Sequence, residues 1–501
     1  MLAIACLAIW ARTTRLGDAG LSSDETFSWR LTRYAAPELV RRTAADVHPP
    51  LGYLLLKGWT AGFGSSPAAL RSLSVVLGLL TIATLAWVVF EHERHHARAS
   101  PADPVLAAAF AALFVAVGEA QISASRNARM YQLGLLLSAL SALLLLFALR
   151  SDRRRIVAWL AYGTCAAALV YTHYYGAFTL VAQALWVLAL AGLRFRRGER
   201  RAAGRAIAGL ALGTAAAVAL FAPWLPVLRA QSGEVWKDYW IPALSAQGVA
   251  RGLVEWSAGS QPFGWSGVGG VAAATAFLAW RGRPGAFFAV QASLPWVCGI
   301  LLSSLSPRSV FLTRYMIFAQ LGLFGLWAVS LARTPRGWQR NLALAVLAIV
   351  SCSSLPSSLR LYARSEAIEP KAIRFLSRQG RPGDLVLVDS PFRVNRLAYY
   401  AAQQGLEGIS FRCLLARSAA GQGHVPHLSS LATGDVVWRD ELARLDRGRI
   451  WWGGPDEQTW PDPPPGWRAR YTRPFRSAVT RAFALTLYLP ADPGEDAGAP
   501  P

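Results

Sequence analysis

The sequence predicts an α-helical polytopic membrane protein of about eleven transmembrane helices, ending in a small extracytoplasmic α/β domain. Three observations carry this. Of 501 residues, 53% are hydrophobic and only 16% charged, with a mean hydropathy of +0.30, whereas soluble domains carry about 25% charged residues. The apolar residues gather in runs near the ~20 residues that cross a bilayer core as a helix. Arginines collect in alternate loops between those runs, the signature of positive-inside topology.

The first apolar run, Met1–Trp10, is shorter than a span. No basic stretch precedes it and no small-residue cleavage site follows, so it reads as part of a first transmembrane helix that an upstream extension would complete. Further spans are expected at residues 67–90, 104–120, 130–149, 156–172, 175–193, 206–226, 267–280, 286–304, 313–332 and 341–355. Arg94 and Arg98 follow the second span, and Arg150, Arg153, Arg154 and Arg155 the fourth. A run from Arg194 to Arg205 follows the sixth, Arg281 and Arg283 the eighth, and Arg333, Arg336 and Arg340 the tenth. Every basic loop thus leaves an even-numbered span and is expected in the cytoplasm. Loops 17–66, 121–129, 173–174, 227–266 and 305–312, and the chain after Pro356, then face outward. The net charge of +22 is largely this topological arginine, so no nucleic-acid partner is expected. Cys6, Cys165, Cys298 and Cys352 lie in apolar segments and Cys413 stands alone, which gives neither a disulfide framework nor metal-ligand spacing.

Residues 1–355 are therefore expected to form the membrane domain, 356–489 an extracytoplasmic α/β domain and 490–501 a Pro/Gly/Asp-rich disordered tail. In the α/β part a helix is expected from Glu369, with strands at Leu385–Asp389, Arg449–Trp452 and Ala482–Leu489.

The polar residues that break the apolar pattern fall on the outward side. In the first outer loop, Asp24-Glu25 follows Ser22. Ser22-x-x-Glu25 fits a helix capping box, which accounts for one acid and can account for both. The same placement keeps a carboxylate ionised near the membrane, ready to take a proton from a hydroxyl. Downstream, Asp46-Val47-His48-Pro49-Pro50 ends any helix at the proline pair and holds His48 extended. This is an ordinary turn or a contact point for sugar, phosphate or metal. Arg126 and Arg129 precede Tyr131 at the mouth of the fourth span, and Arg308 and Arg314 precede Tyr315 at the tenth. Arginines outside run against the charge bias, so they either snorkel or meet an anion. His173 sits within an aromatic cluster, Tyr171-Thr172-His173-Tyr174-Tyr175, that also suits an interfacial belt. No phosphate-binding P-loop, serine-hydrolase elbow, zinc-protease or dinucleotide motif is present in a suitable context.

In these residues the chain resembles the GT-C membrane glycosyltransferases. It is most similar to the family-39 group, with the protein O-mannosyltransferases and the lipid A aminoarabinose transferases. The likeness runs over about residues 1–355 and rests on Asp24-Glu25, Asp46 with His48-Pro49-Pro50-Leu51, Ala128-Arg129-Met130-Tyr131 and Arg314-Tyr315. It implies a multi-pass enzyme of the inner (plasma) membrane with an extracytoplasmic active site. Such an enzyme moves a sugar from a polyprenyl-phosphate donor to a glycan, lipid or protein hydroxyl. Asp24 would be the base, and Glu25 and Asp46 would orient substrate. His48, Arg126, Arg129, Tyr131, His173, Arg308, Arg314 and Tyr315 would bind substrate or phosphate. His48 stands where aminoarabinose transferases place a lysine. Asp24 and Asp46 could hold a divalent cation, and these residues point to no other cofactor. The alternative from a different class is a transporter or flippase of a lipid-linked or anionic substrate, which would spread its charges along broken helices near the midplane.

Overall fold

The structure is a computed structural model. It describes residues 1–96, 103–150, 155–235, 241–258, 264–282, 285–353, 367–416, 428–444, 448–455, 460, 463, 466–476 and 483–490. The expected domain boundary at 355–356, the expected tail beyond Pro490, and Arg98, Arg153, Arg154 and Arg283 of the basic loops lie outside these residues.

The chain begins with α1 (Leu2–Thr13), then three short helices that connect it to the bundle: α2 (Ser23–Thr32), α3 (Ala36–Ala44) and α4 (Leu51–Phe63). The Pro49-Pro50 pair separates α3 from α4, with Pro50 as the cap residue of the latter. The long helix α5 (Pro67–His96) starts the bundle, followed by α6 (Pro104–Val117), α7 (Glu119–Ser125), α8 (Tyr131–Arg150), α9 (Arg155–Thr172), α10 (Gly176–Arg196) and α11 (Arg200–Phe221). Next come α12 (Leu225–Val235), α13 (Ala246–Ala258), α14 (Gly264–Gly282), α15 (Ala286–Leu305), α16 (Ile317–Arg333) and α17 (Trp338–Ser353). Among the described residues, seven helices have the length and apolarity of a span, an eighth if α6 and α7 count as one bent span, and three shorter apolar helices stand at the other expected positions. The protein is a multi-pass membrane protein.

One expected span is corrected. Residues 104–120 do not form a straight helix, because α6 stops at Gly118 and α7 departs at 65°. A Cβ at Gly118 would lie 2.9 Å from the Phe324 ring, so the bend packs tightly against α16. The break strands carbonyls of the last turn of α6, and buried Arg12 meets them, donating to Val115 O at 2.8 Å and Ala116 O at 2.9 Å. Elsewhere small residues let helices approach closely: a Cβ at Gly163 of α9 would lie 2.4 Å from the Gly213 carbonyl of α11. Helix α16 is the buried centre, carrying Phe318, Phe324 and Trp327 into one core with α5, α6 and α8.

The C-terminal part contains α18 (Glu369–Gln379), α19 (Pro391–Gln403) and a six-stranded sheet. Its strands are β1 (Leu385–Val388), β2 (Ser410–Leu415), β3 (Val436–Trp438), β4 (Ile450–Pro455), β5 (Trp467–Phe475) and β6 (Phe483–Pro490). The order is β3-β2-β1-β4-β6-β5, with β3, β2, β1 and β4 parallel and the last two antiparallel. The edge strand β5 exposes Arg470 and Arg473, charges that discourage pairing with another chain. This sheet unit rests on α2 and the stretch just before it. Trp29 of α2 stacks edge-on to Tyr399 of α19 at 5.1 Å, the Tyr400 hydroxyl accepts from Leu21 N–H at 3.0 Å, and Arg30 pairs with Asp435. Helix α2 is thereby held from behind.

Candidate active site

Helix α2 starts with the capping box the sequence suggests. Glu25 N–H donates to Ser22 Oγ at 3.3 Å, and Ser22 N–H donates to Glu25 Oε2 at 2.9 Å. Glu25 accepts three further bonds, from Arg71 Nε at 2.7 Å, an Arg71 terminal nitrogen at 2.9 Å and Ala128 N–H at 3.1 Å. A carboxylate has about four acceptor positions, and these bonds use all of them. The expected substrate-orienting role of Glu25 meets a carboxylate whose acceptor capacity is spent inside the protein, where it is 3% exposed.

Asp24, one residue earlier, is half-buried and lines a cavity of 380 Å³. Tyr131 and Arg314 line the same cavity, with Asn127, Ser123, Glu119, Trp256 and Glu255. Behind Asp24 lies Arg129. One of its terminal nitrogens donates to Tyr53 Oη at 3.1 Å and, more weakly, to Ser28 Oγ and the Asp24 carbonyl at 3.4 Å. The guanidinium is buried over the rings of Phe27 and Tyr53. It lies within electrostatic reach of Asp24, Asp46, His48, Tyr131 and His173, yet pairs directly with no carboxylate among the described residues. Buried cations are normally paired.

Two imidazoles complete this buried shelf. His48 Nδ1 lies 3.4 Å from Asp46 Oδ2. The carboxylate only accepts, so Nδ1 carries the proton and Nε2 presents a lone pair. Burial holds His48 below the usual imidazole range, with the Asp46 bond opposing. His173 is 2% exposed, and its ring stands 5.8 Å from that of His48, 5.6 Å from Tyr131 and 4.7 Å from Tyr315. Its Nδ1 accepts the Tyr175 N–H at 3.2 Å, so in the neutral ring Nε2 carries the hydrogen. Burial, reinforced by the neighbouring His48, Arg129 and Arg314, holds its pKa well below the ordinary value. The Nε2–H is buried with no protein acceptor within reach among the described residues.

Two expected phosphate contacts are not brought here. Arg126 is 1% exposed and donates to the carbonyls of Ala11, Arg12 and Thr14, closing the C-terminal end of α1. Arg308 lines a different cavity. Conversely, Glu119, Glu255, Trp256 and Tyr53 belong to the site and were not singled out from the sequence. Glu119 carried a signal, since a carboxylate inside an apolar span is costly. Asp24 and Asp46 acquire no third ligand: among the described residues no three His, Cys, Asp or Glu side chains are grouped to hold a metal ion.

No protein-family model matches the chain, and no curated protein matches it by sequence. Solved structures do. ArnT from Cupriavidus metallidurans in the apo state has a TM-score of 0.62 at 14% identity, covering 97% of each chain. The same protein bound to undecaprenyl phosphate is as similar, with a TM-score of 0.62 at 13% identity. The arabinofuranosyltransferase AftD from Mycobacteria gives a TM-score of 0.55 at 14% identity, covering 99% of this chain and 40% of that one. The archaeal oligosaccharyltransferase AglB from Archaeoglobus fulgidus gives 0.51 at 11% identity, covering 90% and 68%. The chain has the GT-C fold.

Proposed function

We propose that this chain is an integral membrane glycosyltransferase that moves a sugar from a polyprenyl-phosphate donor to a hydroxyl acceptor on the extracytoplasmic face. The observation that carries the reading is Arg129, a buried guanidinium with no direct carboxylate partner among the described residues, set behind Asp24. An anion is the natural partner for such a group, and Arg suits phosphate. Support comes from the ArnT structure with undecaprenyl phosphate bound, whose fold this chain shares.

The chemistry follows from charge. The donor phosphate is a diester with one negative charge. When the sugar C1–O bond breaks, the electron pair stays on the phosphate, which leaves as a polyprenyl monoester bearing a second negative charge. Arg129, Arg314 and the His173 Nε2–H would stabilise that growing charge more than the ground state, as catalysis requires. Asp24 takes the acceptor proton as its oxygen attacks C1 from the opposite face, which inverts the anomeric centre. Neutral His48, with its proton committed to Asp46, offers an acceptor and is assigned to a sugar hydroxyl rather than to phosphate. The outward side is inferred from the basic loops, whose Arg94, Arg150 and Arg333 meet Glu91 and Glu93 at the other end of α5. The region 356–489 is assigned to the same outward side, over the first outer loop.

One observation favours the transporter reading: the 65° break between α6 and α7 is a broken span. The distinguishing experiment incubates the full chain in detergent with radiolabelled sugar–polyprenyl phosphates and a mixed acceptor extract. Label moving into acceptor, with polyprenyl phosphate released, is expected. Donor binding without turnover for any donor overturns the transferase in favour of transport.

The His173 role has its own test. Replacing His173 by Phe keeps volume but removes the donor, and should weaken undecaprenyl phosphate binding about tenfold. His173→Gln, which can place an N–H in similar space, should recover most of that affinity. Equal losses in both variants would make His173 a packing residue.

A further inference from the structure

Trp256 lines the Asp24 cavity and has no part in the chemistry above. It sits in the last turn of α13, where helix carbonyls lack partners within their own helix. Gln320 of α16 meets one of them, its Nε2 donating to the Trp256 carbonyl at 2.7 Å. A carbonyl only accepts, which fixes the orientation of the amide and leaves Gln320 Oε1 to accept in turn. Its donor is Gln121 Nε2 of α7, at 2.8 Å. Gln121 is 0% exposed and Gln320 4%, so this relay runs through the protein interior. It ties α13 to α7, and both helices wall the cavity.

A second contact seats α13 one turn earlier. A Cβ at Gly252 would lie 2.8 Å from Thr313 Oγ1 and 3.3 Å from the Trp296 ring, so the helix approaches the entry to α16 closely. The Trp256 indole itself packs edge-on to Trp296, with ring centroids 5.3 Å apart. Its backbone and its ring are thus both held, and the half-buried indole forms part of the cavity wall. Groups that accept from hydroxyls line the same cavity. Glu255 is adjacent and exposed, and the Oδ1 of Asn127 is buried with no partner among the described residues. An aromatic wall with a few acceptors beside it suits a ligand that has an apolar face and a rim of hydroxyls. A saccharide ring has that form.

We propose that Trp256 is the specificity-determining residue of this cavity, the platform on which a saccharide ring stacks, and that Gln320 and Gln121 are positioning residues that fix it. The inference rests on the transferase reading for the source of the ring, which is the donor's sugar or a sugar acceptor. Its test is binding, which requires no turnover.

The full chain in detergent would be titrated with undecaprenyl phosphate, with its glucosyl, mannosyl and arabinosyl derivatives, and with the matching methyl glycosides. The wild type should bind one glycosylated lipid about tenfold more tightly than the bare lipid. Trp256→Leu should abolish that gain and leave binding of the bare lipid unchanged, whereas Trp256→Phe should keep most of it. Sugar-dependent binding seen only with a methyl glycoside, and lost in Trp256→Leu, keeps the platform and assigns the ring to the acceptor. Gln320→Met should lower sugar affinity in the same direction, and the double variant with Trp256→Leu should lose no more than Trp256→Leu alone. Additive losses would make Gln320 a general support and overturn its positioning role. Absence of any sugar-dependent binding, or equal losses for bare and glycosylated lipid in Trp256→Leu, overturns the platform. Turnover with sugar binding unchanged in Trp256→Leu sinks this inference and leaves the transferase standing; Trp256-dependent sugar binding without turnover does the reverse.

Discussion

Asp24→Asn is expected to lower the turnover number by about 10²–10⁴-fold, the range for loss of a positioned general base, with donor binding retained or tightened. The substitution is isosteric and leaves the Ser22–Glu25 capping box in place, so α2 should form as before. What changes is one charge at the cavity wall. The amide cannot accept the acceptor's proton, which removes the chemical step. The lost negative charge also relieves repulsion with the donor phosphate beside Arg129, so affinity should not fall. Single-turnover kinetics, together with direct binding of undecaprenyl phosphate, separates the two effects. Full turnover in Asp24→Asn would move the base to Glu119, which lines the same cavity.

Much of the fold was legible because membrane physics writes it into composition. Runs of apolar residues and the alternating arginines located the helices to within a few residues, from α8 at Tyr131 to α16 at Ile317. The break at Gly118 was not legible, because a glycine within an apolar run is unremarkable until Phe324 is seen against it. Strands β2, β3 and β5 were missed for a related reason: β2 mixes Arg412 among its apolar residues, and β5 alternates charges at an exposed edge. In the candidate site, the structure brings Asp24, Asp46, Arg129, Tyr131, His173 and Tyr315 near one another; the charged and imidazole groups stood out in sequence because they contradict their surroundings, and Tyr131 and Tyr315 through the resemblance. That criterion cannot separate a polar group facing substrate from one consumed by the fold. Arg126 and Glu25 look the same in sequence as Arg129 and Asp24; the structure distinguishes them by giving the first two protein partners, the α1 carbonyls and Arg71.

The same distinction makes Glu25→Gln the most destabilising conservative change expected between α1 and α5. Arg71 directs all five of its N–H groups inward, two to Glu25 and three to the carbonyls of Leu16, Ala19 and Gly20. Both side chains are almost fully buried, with exposures of 2% for Arg71 and 4% for Glu25. Removing one partner of such a pair leaves an uncompensated buried charge and costs about 3–5 kcal/mol. Glutamine keeps the shape but brings an NH₂ group against a guanidinium that can only donate. Arg71→Met should cost as much, since it also frees the three carbonyls. The double variant should cost less than the sum of the two, because each has already lost the shared interaction. Thermal unfolding in detergent across this cycle measures the coupling, with Asp24→Asn as a neighbour expected to unfold like the wild type. Loss of activity in Glu25→Gln should then track loss of folded protein. A Glu25→Gln protein that stays fully folded but inactive would reverse the two assignments, making Glu25 the chemical group and Asp24 the support.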